Sequence, residues 1–126
     1  MTYGTINVDT LTASTGVLAT QNGMTGIAKA WVYYNALTQT VVNSFNVSSV
    51  TYNGTGDQTV NFTTAMANAN YVPVGVGYTD NNLYTLNLYV TEATPPTTSL
   101  VRVVTRQTNT GTIFNSGRVY LAILSN

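Results

Sequence analysis

The chain has 126 residues, enough for one domain that buries about two thirds of the surface its unfolded chain exposes. Four Lys/Arg balance four Asp/Glu and only 6% of residues are charged, so no basic field exists to neutralise phosphates and no nucleic-acid partner is expected. There is no His and no Cys, which removes the commonest general base, the His-dependent and thiol nucleophiles and most zinc chemistry; the expectation is a non-enzymatic protein without catalytic residues, cofactor or metal.

Thr and Asn keep the weakly charged chain polar, and Thr with Val and Tyr favours strands because β-branched and aromatic side chains pack on a pleated surface. No apolar run approaches the ~18 residues that span a bilayer, and the N-terminus lacks the basic start and apolar stretch of a secretory signal. Synthesis in a cytoplasm without membrane insertion is expected. Near-zero net charge leaves little repulsion between copies, which favours an assembled state.

Residues 1–28 form a Thr/Gly-rich docking arm. Ile6 and Val8 alternate as a short strand does, and Leu11, Val17, Leu18, Met24 and Ile27 supply scattered apolar contacts among Gly16, Gly23 and Gly26. This is too little apolar area to fold alone, so the arm is expected to dock, either on its own domain or on a neighbour.

Residues 29–126 read as the second unit, a β-sandwich domain. Its first strand is Ala30–Asn35, with Trp31 anchoring the core or an interface. In Val41–Val50, Phe45 and Val47 share a parity that Val50 and Tyr52 break, which calls for a bulge near Ser48 and Ser49. Asn53-Gly54-Thr55-Gly56-Asp57 is the strongest turn signal, Asn-Gly supplying positive φ for a hairpin that joins residues 48–52 to 58–63. Thr64–Asn70 is a loop. Tyr71–Thr79 sets Val72, Val74, Val76 and Tyr78 on one face and Pro73, Gly75 and Gly77 on the other, and Pro73 belongs at an edge or a strand start.

After a turn at Asp80–Asn82, residues 83–91 set Tyr84, Leu86, Leu88 and Val90 on one face. Pro95 and Pro96 sit in a loop, Leu100–Gln107 is a strand, and a turn at 109–111 leads to a last strand, Arg118–Leu124. That strand is apolar on both parities, which places it centrally in a sheet or at a subunit contact. The whole is an all-β fold, an antiparallel β-sandwich or jelly-roll-like head of about seven to eight strands with an extended N-terminal arm.

Of the four acids, Asp57 and Asp80 sit in turns, Asp9 in the arm and Glu92 after a strand, a scatter that suits turns and caps better than a paired-carboxylate site. Asp80-Asn81-Asn82 lacks calcium-loop spacing, and Gly23–Lys29 lacks that of a phosphate loop. Arg102 and Arg106 share a strand face and could offer cations to a partner. Nine tyrosines supply core or interface area, or a surface for stacking on sugars.

Ile6–Gly16 (INVDTLTASTG), Gly26–Val32 (GIAKAWV), Ser44–Met66 (SFNVSSVTYNGTGDQTVNFTTAM), the NANY that follows and the ending RVYLAILSN resemble small virion proteins of tailed bacteriophages, including tail-fibre and capsid-associated proteins of cyanophages. The resemblance implies a homotrimeric β-sandwich on the virion whose arm attaches it to the particle or to its threefold partners. With an arm and a head but no shaft, the chain fits a capsid decoration or cement protein that clamps neighbouring copies of the major capsid protein. The alternative is a receptor-binding tail-fibre or appendage head that binds host surface glycans. Ile6, Val8, Leu11, Val17, Leu18, Met24, Ile27, Trp31, Arg102 and Arg106 are the expected interface residues.

Overall fold

The computed structural model describes residues 27–79 and 85–125. Arm residues 1–26 and the turn at Asp80–Asn82 lie outside the described residues.

Among the described residues eight strands follow one another: β1 (Ala28–Asn35), β2 (Thr40–Phe45), β3 (Val47–Gly54), β4 (Asp57–Phe62), β5 (Val72–Tyr78), β6 (Thr85–Val90), β7 (Leu100–Gln107) and β8 (Arg118–Leu124). They form one sheet in the order β2-β1-β8-β5-β6-β7-β4-β3, with every neighbouring pair antiparallel. The fold is all-β, as the composition and strand spacing imply. Among the described residues no helix is present.

The outermost strands of the order, β2 and β3, are consecutive in sequence and separated by Asn46 alone. The chain steps from one edge of the sheet to the other at this residue, so the sheet curls into a nearly closed barrel with β3 meeting β1 and β2. Asn46 takes a left-handed conformation, φ 54°, which Asn tolerates better than most residues. Its side-chain Nδ2 donates to the carbonyls of Lys29 at 3.0 Å and Thr64 at 3.1 Å, and its Oδ1 accepts from the Thr64 amide at 2.7 Å. The expected bulge is present, the register shifting between Val47 and Ser49. The run from Val41 to Val50 is nonetheless two strands, because the corner at Asn46 breaks it.

Alternate residues of four strands fill the interior: Ala30, Val32 and Tyr34 of β1, Val60 and Phe62 of β4, Val101 and Val103 of β7, and Val119, Leu121 and Ile123 of β8. At one end Met66 and Tyr71 plug the barrel. The Tyr71 ring meets Phe62 edge-on at 5.7 Å, and its hydroxyl sits 2.7 Å from the Leu100 carbonyl and 3.0 Å from that of Thr97, free to donate to either. Burial pushes this phenol up to about 12.

The other end is closed by the segment 113–116. Ala36 N–H donates to the Ser116 carbonyl at 2.9 Å, Thr105 Oγ1 donates to the Phe114 carbonyl at 2.6 Å, and Asn115 Nδ2 donates to the Tyr52 hydroxyl at 3.2 Å. The hairpin turn between β3 and β4 lies beneath it. Positive φ falls on Gly56 (64°), with Thr55 and Gly56 forming the two-residue connection, while Asn53 sits in a register shift inside β3. The hairpin expected over residues 53–57 is therefore present with its turn inside that segment, although Asn53 does not supply a positive φ.

β8 lies between β1 and β5, but only one of its faces is covered within the chain: Val119, Leu121 and Ile123 are buried while Tyr120 and Leu124 are exposed, contrary to the cover on both faces that its apolar pattern implies. Pro73 is the second residue of β5, a strand start in the sheet interior rather than an edge.

Candidate functional site

The face that β5 turns inward carries Pro73, Gly75 and Gly77. A Cβ on Gly75 would collide with the Tyr120 carbonyl oxygen and crowd Leu121, and one on Gly77 would lie 3.0 Å from Ser116 Oγ and 3.2 Å from Leu86 Cβ. With no room for side chains on that side, the apolar alternation of β5 points outward, and Val72 (56% exposed), Val74 and Tyr78 stand in solvent.

Neighbouring strands extend this surface row by row. In register, Trp31 lies beside Ala122 and Ala122 beside Val74; Tyr33 lies beside Tyr120 and Tyr120 beside Val76; Leu124 lies beside Val72. Tyr33 stacks on Tyr120 at 4.8 Å and Tyr78 meets Tyr120 edge-on at 6.3 Å, which holds the aromatic row rigid. Because Ala122 and Gly75 are small, the surface dips between Trp31 and Val74 into an open groove of about 350 Å³, also lined by Tyr33, Val76 and Tyr120. No charged side chain lines it. A monomer in water gains nothing by exposing such a surface, and contiguous exposed apolar area of this kind marks contact sites.

Two expected interface residues join here: Trp31 forms one wall of the groove, outward rather than in the core, and exposed Ile27 precedes β1 at the Leu124 end of the face. Ile6, Val8, Leu11, Val17, Leu18 and Met24 lie outside the described residues. Arg102 and Arg106 share an outer face of β7, as their spacing implies, but β5 and β6 separate β7 from β8, so they belong to a different surface.

Arg102 is engaged within the chain. Its Nε donates to Asp57 Oδ1 at 2.8 Å, Nη2 to Asp57 Oδ2 at 2.6 Å and Nη1 to Thr94 Oγ1 at 3.1 Å. This two-pronged contact holds the Asp57 carboxyl below the usual carboxylate range, with Asn53 Nδ2 adding a weaker bond. Arg106 lies over the Tyr89 ring, 6.0 Å from its centroid, and a second groove of about 370 Å³ beside this pair is lined by Tyr89, Thr91, Glu92 and Arg106.

A depressed carboxyl contributes stability that is fully present well above its unfolded pKa near 4 and is lost as pH falls through the folded value. Asp57→Asn should lower the melting temperature by roughly 3 °C at pH 7, as expected for a well-formed but partly exposed pair, with the gap from wild type closing below about pH 4. Thermal melts at pH 7 and pH 3 check this; an equal gap at both would mean the carboxylate charge is not what matters.

Among the described residues no three potential metal-ligating side chains cluster, and Asp57, one of the acids, is committed to Arg102. The outer face of β1, β8 and β5 is thus the most distinctive surface. Residue reading singled out Trp31 there but not Val74, Ala122 or Tyr120; the double-sided apolar pattern of β8 was the signal that pointed to them. Compared with protein-family models, curated proteins and solved structures, the chain matches none.

Proposed function

We propose that the chain is a phage virion structural protein acting by self-assembly, a trimeric capsid decoration or cement protein that stabilises the head by clamping neighbouring capsid subunits. The observation that carries this reading is the uncharged aromatic and aliphatic face across β1, β8 and β5. Burying it between subunits recovers hydrophobic free energy that the exposed surface forgoes, and the resemblance of the strand motifs to virion proteins supplies the particle.

The face also argues against a sugar ligand at this place, since a glycan needs several hydrogen-bonding groups and the groove offers little beyond tyrosine hydroxyls. The fibre-head reading draws instead on the second groove, where Glu92, Thr91 and Arg106 supply polar contacts beside Tyr89. Arg106 already occupies the Tyr89 ring, the platform on which a sugar would stack, so the cement reading is preferred.

Val74→Asp tests the face. Val74 is 44% exposed, so the folded domain tolerates the charge and its melting point stays within a few degrees, while sedimentation shows the assembly falling to monomer. An assembly that survives this change would remove the face from the interface. On the particle, hundreds of copies on the shell, together with heat-fragile heads and normal adsorption after stripping, fit decoration; a few dozen tail copies with lost adsorption would overturn it.

A further inference from the structure

We infer that the groove over Ala122 receives apolar side chains from the N-terminal segment, residues 1–26, of a second copy of the chain. The inference rests on the self-assembly reading and names what fills the face.

Three strands spaced ~4.8 Å apart and roughly 25 Å long present on the order of 350 Å². A stable complex buries roughly 800 Å² of accessible surface on each partner, more than this flat footprint offers even with the relief of its side chains, so two heads meeting through this face alone fall short. The same chain holds a source of further area, since the 26 residues before Ile27 carry Ile6, Val8, Leu11, Val17, Leu18 and Met24.

Asp9 is the segment's single charged side chain, which suits a groove with no charged lining. The groove is shaped for protruding aliphatic groups: its floor is Ala122 and its walls are Trp31 and Val74, flanked by the rigid Tyr33–Tyr120 stack. Knobs of Leu or Met size fill such a depression.

Position and reach favour a neighbour. The segment joins the domain through Ile27, at the Leu124–Val72 end of the face. At about 3.3 Å per residue its extended length is roughly 85 Å, some three times the length of the face, enough to pass from one copy to the next. Laid on its own domain, the same segment would seal the apolar face and leave the copies without the surface that draws them together.

The chain has no cysteine, so introduced thiols report cleanly. Leu18→Cys and Val74→Cys are placed in separate full-length chains, the two proteins are mixed and dissociated and reassembled together, and the mixture is oxidised; Val8→Cys and Met24→Cys replace Leu18→Cys in parallel. The expected result is a disulfide-linked pair, one chain of each kind, for at least one arm position, and no such pair when Val74→Cys is exchanged for Ser49→Cys.

A second readout uses Trp31, the single tryptophan. Its emission shifts to the red and its quenching by acrylamide rises at least twofold in the full-length Leu18→Asp variant. Three results overturn the inference: a Leu18→Cys/Val74→Cys double variant that closes only within one chain at every concentration, Val74→Cys that links only to itself, or Trp31 emission indifferent to Leu18→Asp. If the protein sediments as an assembly while the arm thiols stay unlinked, the arm inference falls and self-assembly stands. A monomer at all concentrations removes both.

Discussion

Gly56→Ala is expected to destabilise the domain by about 3 to 4 kcal/mol and to lower its melting temperature by roughly 10 °C or more. Two costs add. Gly56 has φ 64°, where a residue with a Cβ loses about 1 kcal/mol or more. The new methyl would also lie 2.6 Å from Ile113 Cγ2, 2.7 Å from the Phe114 carbonyl oxygen and 2.9 Å from that of Thr105, two of them backbone atoms that cannot swing aside.

The surrounding bonds explain why the segment cannot retreat. Gly56 N–H donates to Asn115 Oδ1 at 2.6 Å, and the Gly56 carbonyl accepts from the Thr105 amide at 2.8 Å. Moving the 113–116 segment outward breaks the Asn115 bond and that of Thr105 Oγ1 to the Phe114 carbonyl, and uncovers the end of the core. Gly111→Ala makes the control, because its φ of 69° matches that of Gly56 while nothing lies within 4 Å of a Cβ there. Denaturant unfolding of both variants checks the argument, which fails if the two lose similar stability.

Asn46→Ala should cost about 3 kcal/mol, from hydrogen bonds worth about 1 kcal/mol each and a Cβ-bearing residue without Asn's tolerance of positive φ. The bonds tie the start of β1, through the Lys29 carbonyl, to the chain leaving β4, through Thr64, at the corner where the sheet crosses between its edges. Asn46→Gly keeps the backbone freedom and loses only the side-chain bonds, so it should be about 1 kcal/mol less harmful than Asn46→Ala. In an ordinary strand the order is reversed, since glycine is the weaker strand former. Asn46→Asp would aim carboxylate oxygen at two carbonyls and should be at least as damaging as alanine. Finding Ala better tolerated than Gly would show that the left-handed corner is not what Asn46 supplies.

Much of the strand layout was readable along the chain. The hairpin between β3 and β4, the bulge by Ser48, the loop over 64–70 and the central place of β8 all follow from parity and turn chemistry, which are local. Within the expected segment 53–57 the tight connection falls at Thr55-Gly56, where the Asn115 side chain and the Phe114 and Thr105 carbonyls, distant in sequence, fit only a glycine at position 56. Asn46 gave no signal beyond a phase break in its neighbourhood, since its role depends on Lys29 and Thr64 arriving beside it.

The candidate site divides the same way. Trp31 stood out by residue type and β8 by its double-sided pattern, but Val74 and Val76 read equally well as core. Arg102 and Arg106 were legible as sharing a face; that Asp57 claims the first and Tyr89 lies beneath the second required strand pairing across the sheet.

By itself, the sequence determined the all-β class, the strand order along the chain, and the lack of His and Cys chemistry, because composition, alternation and turn residues act over a few positions. Only the tertiary structure decided which face of each strand points inward. For β5 that choice goes against hydrophobicity: Gly75 and Gly77 press against β8 and β6 where no side chain fits, and the valines are left outside with Trp31 and Tyr120.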